Sequence, residues 1–194
     1  MSNRIIIACI LWISVCTAVV LAGCSAEGRS TTYGLAERDT LRIKLDSAHE
    51  RIWVLDLDAV RVYDSSSKRL AHTIPLPRWS VARFGCMPDM VLDRTGSVYV
   101  SSNVQPKLWR IDADSFQVRE LGISLQGREN WDVGFGAIAF AADGNLLALT
   151  SMGRWFWKID VAGGSASPVE LDAPVTAVCD FTTQLVSNLE RNRP

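Results

Sequence analysis

The chain has 194 residues, with 20 Lys and Arg against 21 Asp and Glu, a formal net charge of −1 and 48% hydrophobic side chains. That length and apolar content allow a sizeable core, while the balanced charge, with no basic run and no interleaving of aromatic and basic residues, excludes a nucleic-acid surface. The two histidines, His49 and His72, leave a zinc centre or a Ser-His-Asp triad almost nothing to draw on.

The first element is a leader. Arg4 is followed by an uncharged, largely apolar run from Ile5 to Gly23 that ends in small residues, the order of a secretory signal. The run is also close to the length needed to cross a bilayer as an uncleaved helix. Its ending, LAGC at 21–24, resembles the lipobox of bacterial lipoproteins. That resemblance implies cleavage after residue 23, acylation (palmitate) of Cys24 and, with Ser25 next, a lipid-anchored protein of the cell envelope sorted to the outer membrane, facing periplasm or exterior. Residues 24–40 are small and polar and read as a tether from the anchored cysteine. Without residues 1–23 the chain keeps 171 residues with 19 basic and 21 acidic side chains.

From residue 41 the pattern changes to short alternating segments separated by Asp, Gly, Ser and Pro, the signature of strands. The first set is LRIKL (41–45), RIWVLD (51–56), AVRVYD (59–64) and LAHTIPL (70–76). The second is DMVLD (89–93), SVYVSS (97–102), KLWRID (107–112) and QVREL (117–121). The third is AIAFAAD (137–143), NLLALTS (145–151), WFWKID (155–160) and SPVEL (167–171). VTAVCDF (175–181) opens a fourth set, and 182–194 forms an irregular tail. No segment after the leader has the length and period of a good helix.

The sets repeat with one step. Trp109 and Trp157, Ile111 and Ile159, and the aspartates Asp64, Asp112 and Asp160 are each separated by 48 residues. DRTG (93–96) and AADG (141–144) stand at matching turns, whereas DSAHE (46–50) lacks the glycine, so the first hairpin must turn differently. Four antiparallel strands repeating every 40 to 50 residues predict propeller blades. The expectation is therefore an all-β, partial β-propeller of about three four-stranded blades, at 41–77, 87–122 and 135–172. Cys86 and Cys179, two units apart, are expected as small buried hydrophobes rather than a disulfide.

PDMVLDRTGSVYVSS (88–102) and GAIAFAADGNLLALTS (136–151), each followed by the Ile-Asp strand, resemble units of the NHL and SMP-30-like propellers. The resemblance implies architecture, and it leaves function open because propellers host many activities. The SMP-30-like enzymes bind one divalent cation through a Glu, an Asn and an Asp from several blades, and Asp89 and Asn103 are nearest in character to such ligands. A calcium or zinc ion enters only with that enzyme reading; otherwise no cofactor is expected. The loop tryptophans Trp79 and Trp131 are the ligand-binding candidates, since loops on a rigid scaffold carry specificity. Trp109 and Trp157, in register, are expected to pack between blades.

Three sheets fall short of a closed ring, and three explanations follow: two chains each supplying half a ring, an improvised closure by the termini, or a shortened gene product. An open ring predicts self-association or a protein partner on a blade face. The expected function is a membrane-anchored binding or scaffolding protein of the cell envelope, with no complete catalytic constellation in view. The alternatives are a divalent-cation-dependent hydrolase or lactonase of the SMP-30-like kind and a non-functional remnant.

Overall fold

The computed structural model describes residues 40–82, 86–131, 133–151 and 155–171. Cys24, the rest of the tether before Thr40, the 175–181 segment, Cys179 and the tail lie outside the described residues. The first sheet is β1 (Thr40–Asp46), β2 (Arg51–Asp56), β3 (Val60–Asp64) and β4 (Leu70–Ile74); the second is β5 (Met90–Leu92), β6 (Val98–Ser101), β7 (Lys107–Ile111) and β8 (Val118–Gly122). A short β9 (Ser124–Leu125) precedes the third, β10 (Phe135–Phe140), β11 (Leu146–Thr150), β12 (Phe156–Asp160) and β13 (Ser165–Pro168). Apart from β9, each sheet follows chain order with antiparallel neighbours. There is no helix among the described residues, and the molecule is a partial β-propeller, as the repeat predicts.

β9 is the departure from the four-stranded expectation. It pairs in parallel with β13, Ser124 opposite Ser165 and Leu125 opposite Ala166, and gives the third sheet a fifth strand. Two residues are too few to show alternation. The pairing is supplied by the chain leaving the second blade, which covers the outer edge of the third and removes an exposed strand edge there.

The aspartates that recur every 48 residues have a local cause. Asp64 Oδ1 accepts the amides of Ser66 and Ser67 and the Ser67 hydroxyl; Asp112 Oδ1 accepts the amides of Asp114 and Ser115 and the Ser115 hydroxyl; Asp160 Oδ1 accepts the amides of Ala162 and Gly163. Each caps the turn from third to fourth strand. The backbone N–H of Ser67 holds the Asp64 carboxyl below the usual range, and that of Ser115 does the same for Asp112. Four residues after each aspartate the backbone is left-handed, at Lys68 (φ 59°), Phe116 (φ 56°) and Gly164 (φ 65°). In the turns from first to second strand Gly96 (φ 83°) and Gly144 (φ 85°) are left-handed. The first blade, lacking that glycine, uses Glu50 (φ 54°) after one extra residue.

Hydrophobic faces meet between sheets. Trp53, Leu55, Val60 and Val62 of the first blade pack on Met90, Val98, Val100, Trp109 and Ile111 of the second. Leu108 and Tyr99 of the second pack with Phe135, Ile138, Leu146, Trp157 and Ile159 of the third. Burying one such side chain contributes about 1.5–3 kcal/mol, and no single sheet could cover both of its faces alone. Trp109 and Trp157 thus pack as expected. The far face of the first blade differs: Ile43, Leu45 and Leu70 are more than half exposed there.

β1, β5 and β10 are the inner edges of their sheets and lie side by side. Because connections in an antiparallel sheet alternate ends, the β1–β2, β3–β4 and equivalent turns lie at one end, hereafter the turn end. The β2–β3, β6–β7, β11–β12 and between-blade connections start from the other, the loop end.

Cys86 corrects one expectation. It is buried and disulfide-bonded. Cysteine pairing is set by tertiary placement, which repeat spacing along the chain does not fix.

Candidate functional site

At the loop end, Asp89 stands just before β5 and is buried. Its Oδ1 accepts Arg42 Nε at 3.0 Å and the Met90 amide at 2.8 Å, and its Oδ2 accepts the Ile138 amide at 3.1 Å. Its own amide donates to Ser101 Oγ at 2.8 Å. One carboxylate therefore ties β1, β5 and β10, one from each blade. A buried carboxylate is stable only when so paired.

Asn103, in the β6–β7 loop, is also buried. Its Nδ2 donates to the carbonyls of Ala82 (2.7 Å) and Cys86 (3.1 Å), and its Oδ1 accepts the Ala82 amide at 3.1 Å. This pins the connection between the first two blades. A backbone circuit continues outward: Phe135 N donates to Ser102 O, Ser151 N to Gly134 O and Cys86 N to Ser151 O. Gly134 is required by this approach, since a Cβ there would lie 2.2 Å from the Asn103 carbonyl carbon.

The structure thus brings Asp89 and Asn103 into one loop-end network and spends their polar atoms on it. A divalent cation does not fit them as placed, because the Arg42 guanidinium already neutralises Asp89 and all three Asn103 side-chain hydrogen bonds go to backbone. Among the described residues no three His, Cys, Asp or Glu side chains gather to hold a metal ion. His49 lies at the turn end, 2.8 Å from Asp46, and His72, on β4, stacks on Phe116 with ring centroids 4.1 Å apart.

The two loop tryptophans part ways. Trp79 donates its indole N–H to Leu57 O at 2.8 Å and meets Trp109 edge-on at 5.1 Å, while Trp109 donates to Pro77 O at 2.9 Å. It closes the seam between the first two blades. Trp131 instead meets Trp155 edge-on at 5.3 Å, with the Arg128 guanidinium 4.1 Å from the Trp131 ring centre and 4.4 Å from that of Trp155. Trp155 is 38% exposed, and Trp131 also borders a shallow cavity of about 630 Å3 with Pro106, Lys107, Glu129 and Asn130.

A guanidinium against two indoles gives a rigid, amphipathic patch that accepts flat or apolar ligand surface and offers N–H donors at its rim. Of the two loop tryptophans singled out by sequence, Trp79 is committed to the seam and Trp131 joins this aromatic–guanidinium cluster. Arg128 escaped that reading, although its spacing of three from Trp131 across a Gly-Arg-Glu-Asn turn is a signal. Its second partner, Trp155, comes from another loop.

No family model matches the chain, and no curated protein matches it. Solved structures do. Virginiamycin B lyase from Staphylococcus aureus aligns with a TM-score of 0.54 at 15% identity, over 70% of this chain and 42% of the lyase. A catalytically inactive variant of that lyase with quinupristin aligns with a TM-score of 0.50 at 16% identity, over 70% and 43%. The extracellular domain of a B. thetaiotaomicron protein described as a one-component system aligns with a TM-score of 0.51 at 12% identity, over 68% of this chain and 17% of its own. The chain spans less than half the length of each of these proteins. At such identities the likeness is one of fold: three blades of a propeller of the kind found in virginiamycin B lyase.

Proposed function

We propose that the chain is a portion of a propeller that binds a bulky ligand at its loop end, around Trp131, Arg128 and Trp155, and that the assembled protein works as a lyase or hydrolase. The observation that carries this reading is the shared fold with virginiamycin B lyase over 70% of the chain. The indole–guanidinium patch supports it by supplying a contact surface at the end of the blades where loops gather. Neither histidine lies at that end among the described residues, so the acid–base groups are assigned to further blades. The exposed Ile43, Leu45 and Leu70 on the first blade fit that assignment, because they form the face another blade would cover.

Titration of the full chain with quinupristin, followed by tryptophan fluorescence and by chromatography of the ligand, tests this. Saturable quenching that Trp155→Ala weakens about tenfold, with consumption of the ligand, is the expected result. Quenching without consumption reduces the proposal to a binding module, and no quenching overturns it.

A second reading, an envelope docking protein, rests on the LAGC sequence at 21–24 and the polar stretch behind it. In this reading Cys24 carries the lipid anchor, and the loop end grips a partner rather than transforming a ligand. Intact mass of the detergent-extracted protein decides the anchor: loss of residues 1–23 with added acyl mass supports it, and an unprocessed mass excludes it.

A further inference from the structure

Between the second and third blades, near the turn end, lies a cavity of about 700 Å3. Its wall on the second blade is a row across three strands, with Tyr99 of β6 opposite Arg110 of β7 and Arg110 opposite Arg119 of β8. Like charges directly opposite on neighbouring strands are destabilising. A negative charge between two guanidinium groups so placed, on the rim of a cavity, would relieve that repulsion.

The bonding around these arginines sharpens the point. Arg110 is held in place by the buried Ser97, whose Oγ accepts its Nη2 at 2.9 Å; it also pairs with Asp112 at 3.5 Å and lies 6.0 Å from the Tyr99 ring centre. The Arg119 guanidinium makes no hydrogen bond or ion pair with any described residue. Arg94, on the same rim, reaches the Ala142 carbonyl at 3.1 Å and bridges the two blades. The lining carboxylates each give one oxygen to their own turn: Asp93 Oδ1 accepts the Thr95 and Ser97 amides, and Asp160 Oδ1 accepts two turn amides.

The floor is of another character. Leu121 and Phe140 line it with Tyr99, and the Tyr99 and Phe140 rings meet edge-on at 5.2 Å. Guanidinium donors above an aromatic floor suit a ligand with two ends.

We propose that this crevice binds a small organic anion, a carboxylate carried on a flat apolar body, with Arg110 and Arg119 taking the carboxylate and the Tyr99–Phe140 pair taking the body. The site is separate from the loop-end patch and does not depend on it. Two neighbouring guanidinium groups can bond a carboxylate through several charge-assisted hydrogen bonds, and losing one such interaction costs about tenfold in affinity.

The test is calorimetric titration of the full chain with 2-naphthoate, with 2-naphthalenemethanol as its uncharged counterpart. Saturable binding of the acid only is expected, weakened about tenfold by Arg119→Gln, partly restored by Arg119→Lys and untouched by Arg69→Gln on the first blade. Because Arg119 is exposed, its replacement leaves folding intact, and a thermal melt of the variant verifies this. Absence of saturable naphthoate binding, equal binding of acid and alcohol, or indifference to Arg119→Gln overturns the proposal.

Discussion

At the loop end Asp89 commits both oxygens to Arg42, Met90 and Ile138, and Asn103 commits its amide to the Ala82 and Cys86 backbone. In the crevice between the second and third blades the reverse holds: the Arg119 guanidinium has no partner among the described residues and stands opposite another arginine. Both regions hold charge beside an apolar wall. The difference teaches that identity and position of a polar residue do not make a site; what matters is the bonding capacity left over after the fold has taken its share. The acid that looks most like a ligand is an architectural clamp, and the arginines that look like ordinary surface charge are the ones with donors to spare.

Breaking the clamp gives the largest effect. Asp89→Ala strands the Ile138 amide and leaves Arg42 without its carboxylate, for an expected loss of about 3 kcal/mol, read as a lower urea midpoint. Asp89→Asn, which keeps an acceptor, loses less. If Asp89→Ala unfolds at the native midpoint, the clamp is decorative and the contrast between the two regions fails.

Crowding the same network comes next. Gly134→Ala places a Cβ 2.2 Å from the Asn103 carbonyl carbon and 2.4 Å from Ser102 O, backbone that cannot step aside. A loss of about 2 kcal/mol is expected, with protection of the Phe135 amide in hydrogen exchange falling first.

The crevice responds with the opposite sign. Arg119→Gln removes a like-charge pair and is expected to raise stability by about 0.5 kcal/mol in the absence of ligand, with the gain shrinking as salt rises. A loss of stability would mean that Arg119 is supported by the fold after all.

The smallest effect is a pH dependence on the third blade. The Lys158 ammonium and the Asn145 amide hold the Asp143 carboxyl down to about 2. A depressed carboxylate stabilises the folded state above its unfolded value of 3.8 and loses that contribution as pH falls towards 2. Carboxyl NMR should therefore show Asp143 titrating near pH 2, and Lys158→Gln should move it upward.

The sequence by itself determined what depends on neighbours along the chain. The 48-residue step, the capping aspartates Asp64, Asp112 and Asp160 and the left-handed Gly96 and Gly144 are legible because an Asx turn or a positive φ is decided within four residues by residue type. The four main strands of each blade followed from the alternation those turns enclose, whereas the two-residue β9 did not. Only the tertiary structure decided the use of each polar group. Asp89 finds Arg42 47 positions away and Ile138 49 positions away, Arg128 lies between indoles from two loops, Cys86 is bonded rather than free, and the Tyr99–Arg110–Arg119 row becomes a cavity wall only when the third blade closes against it. Such contacts are set by how the blades stack, and a single strand's pattern specifies which face is buried without specifying what will stand across from it.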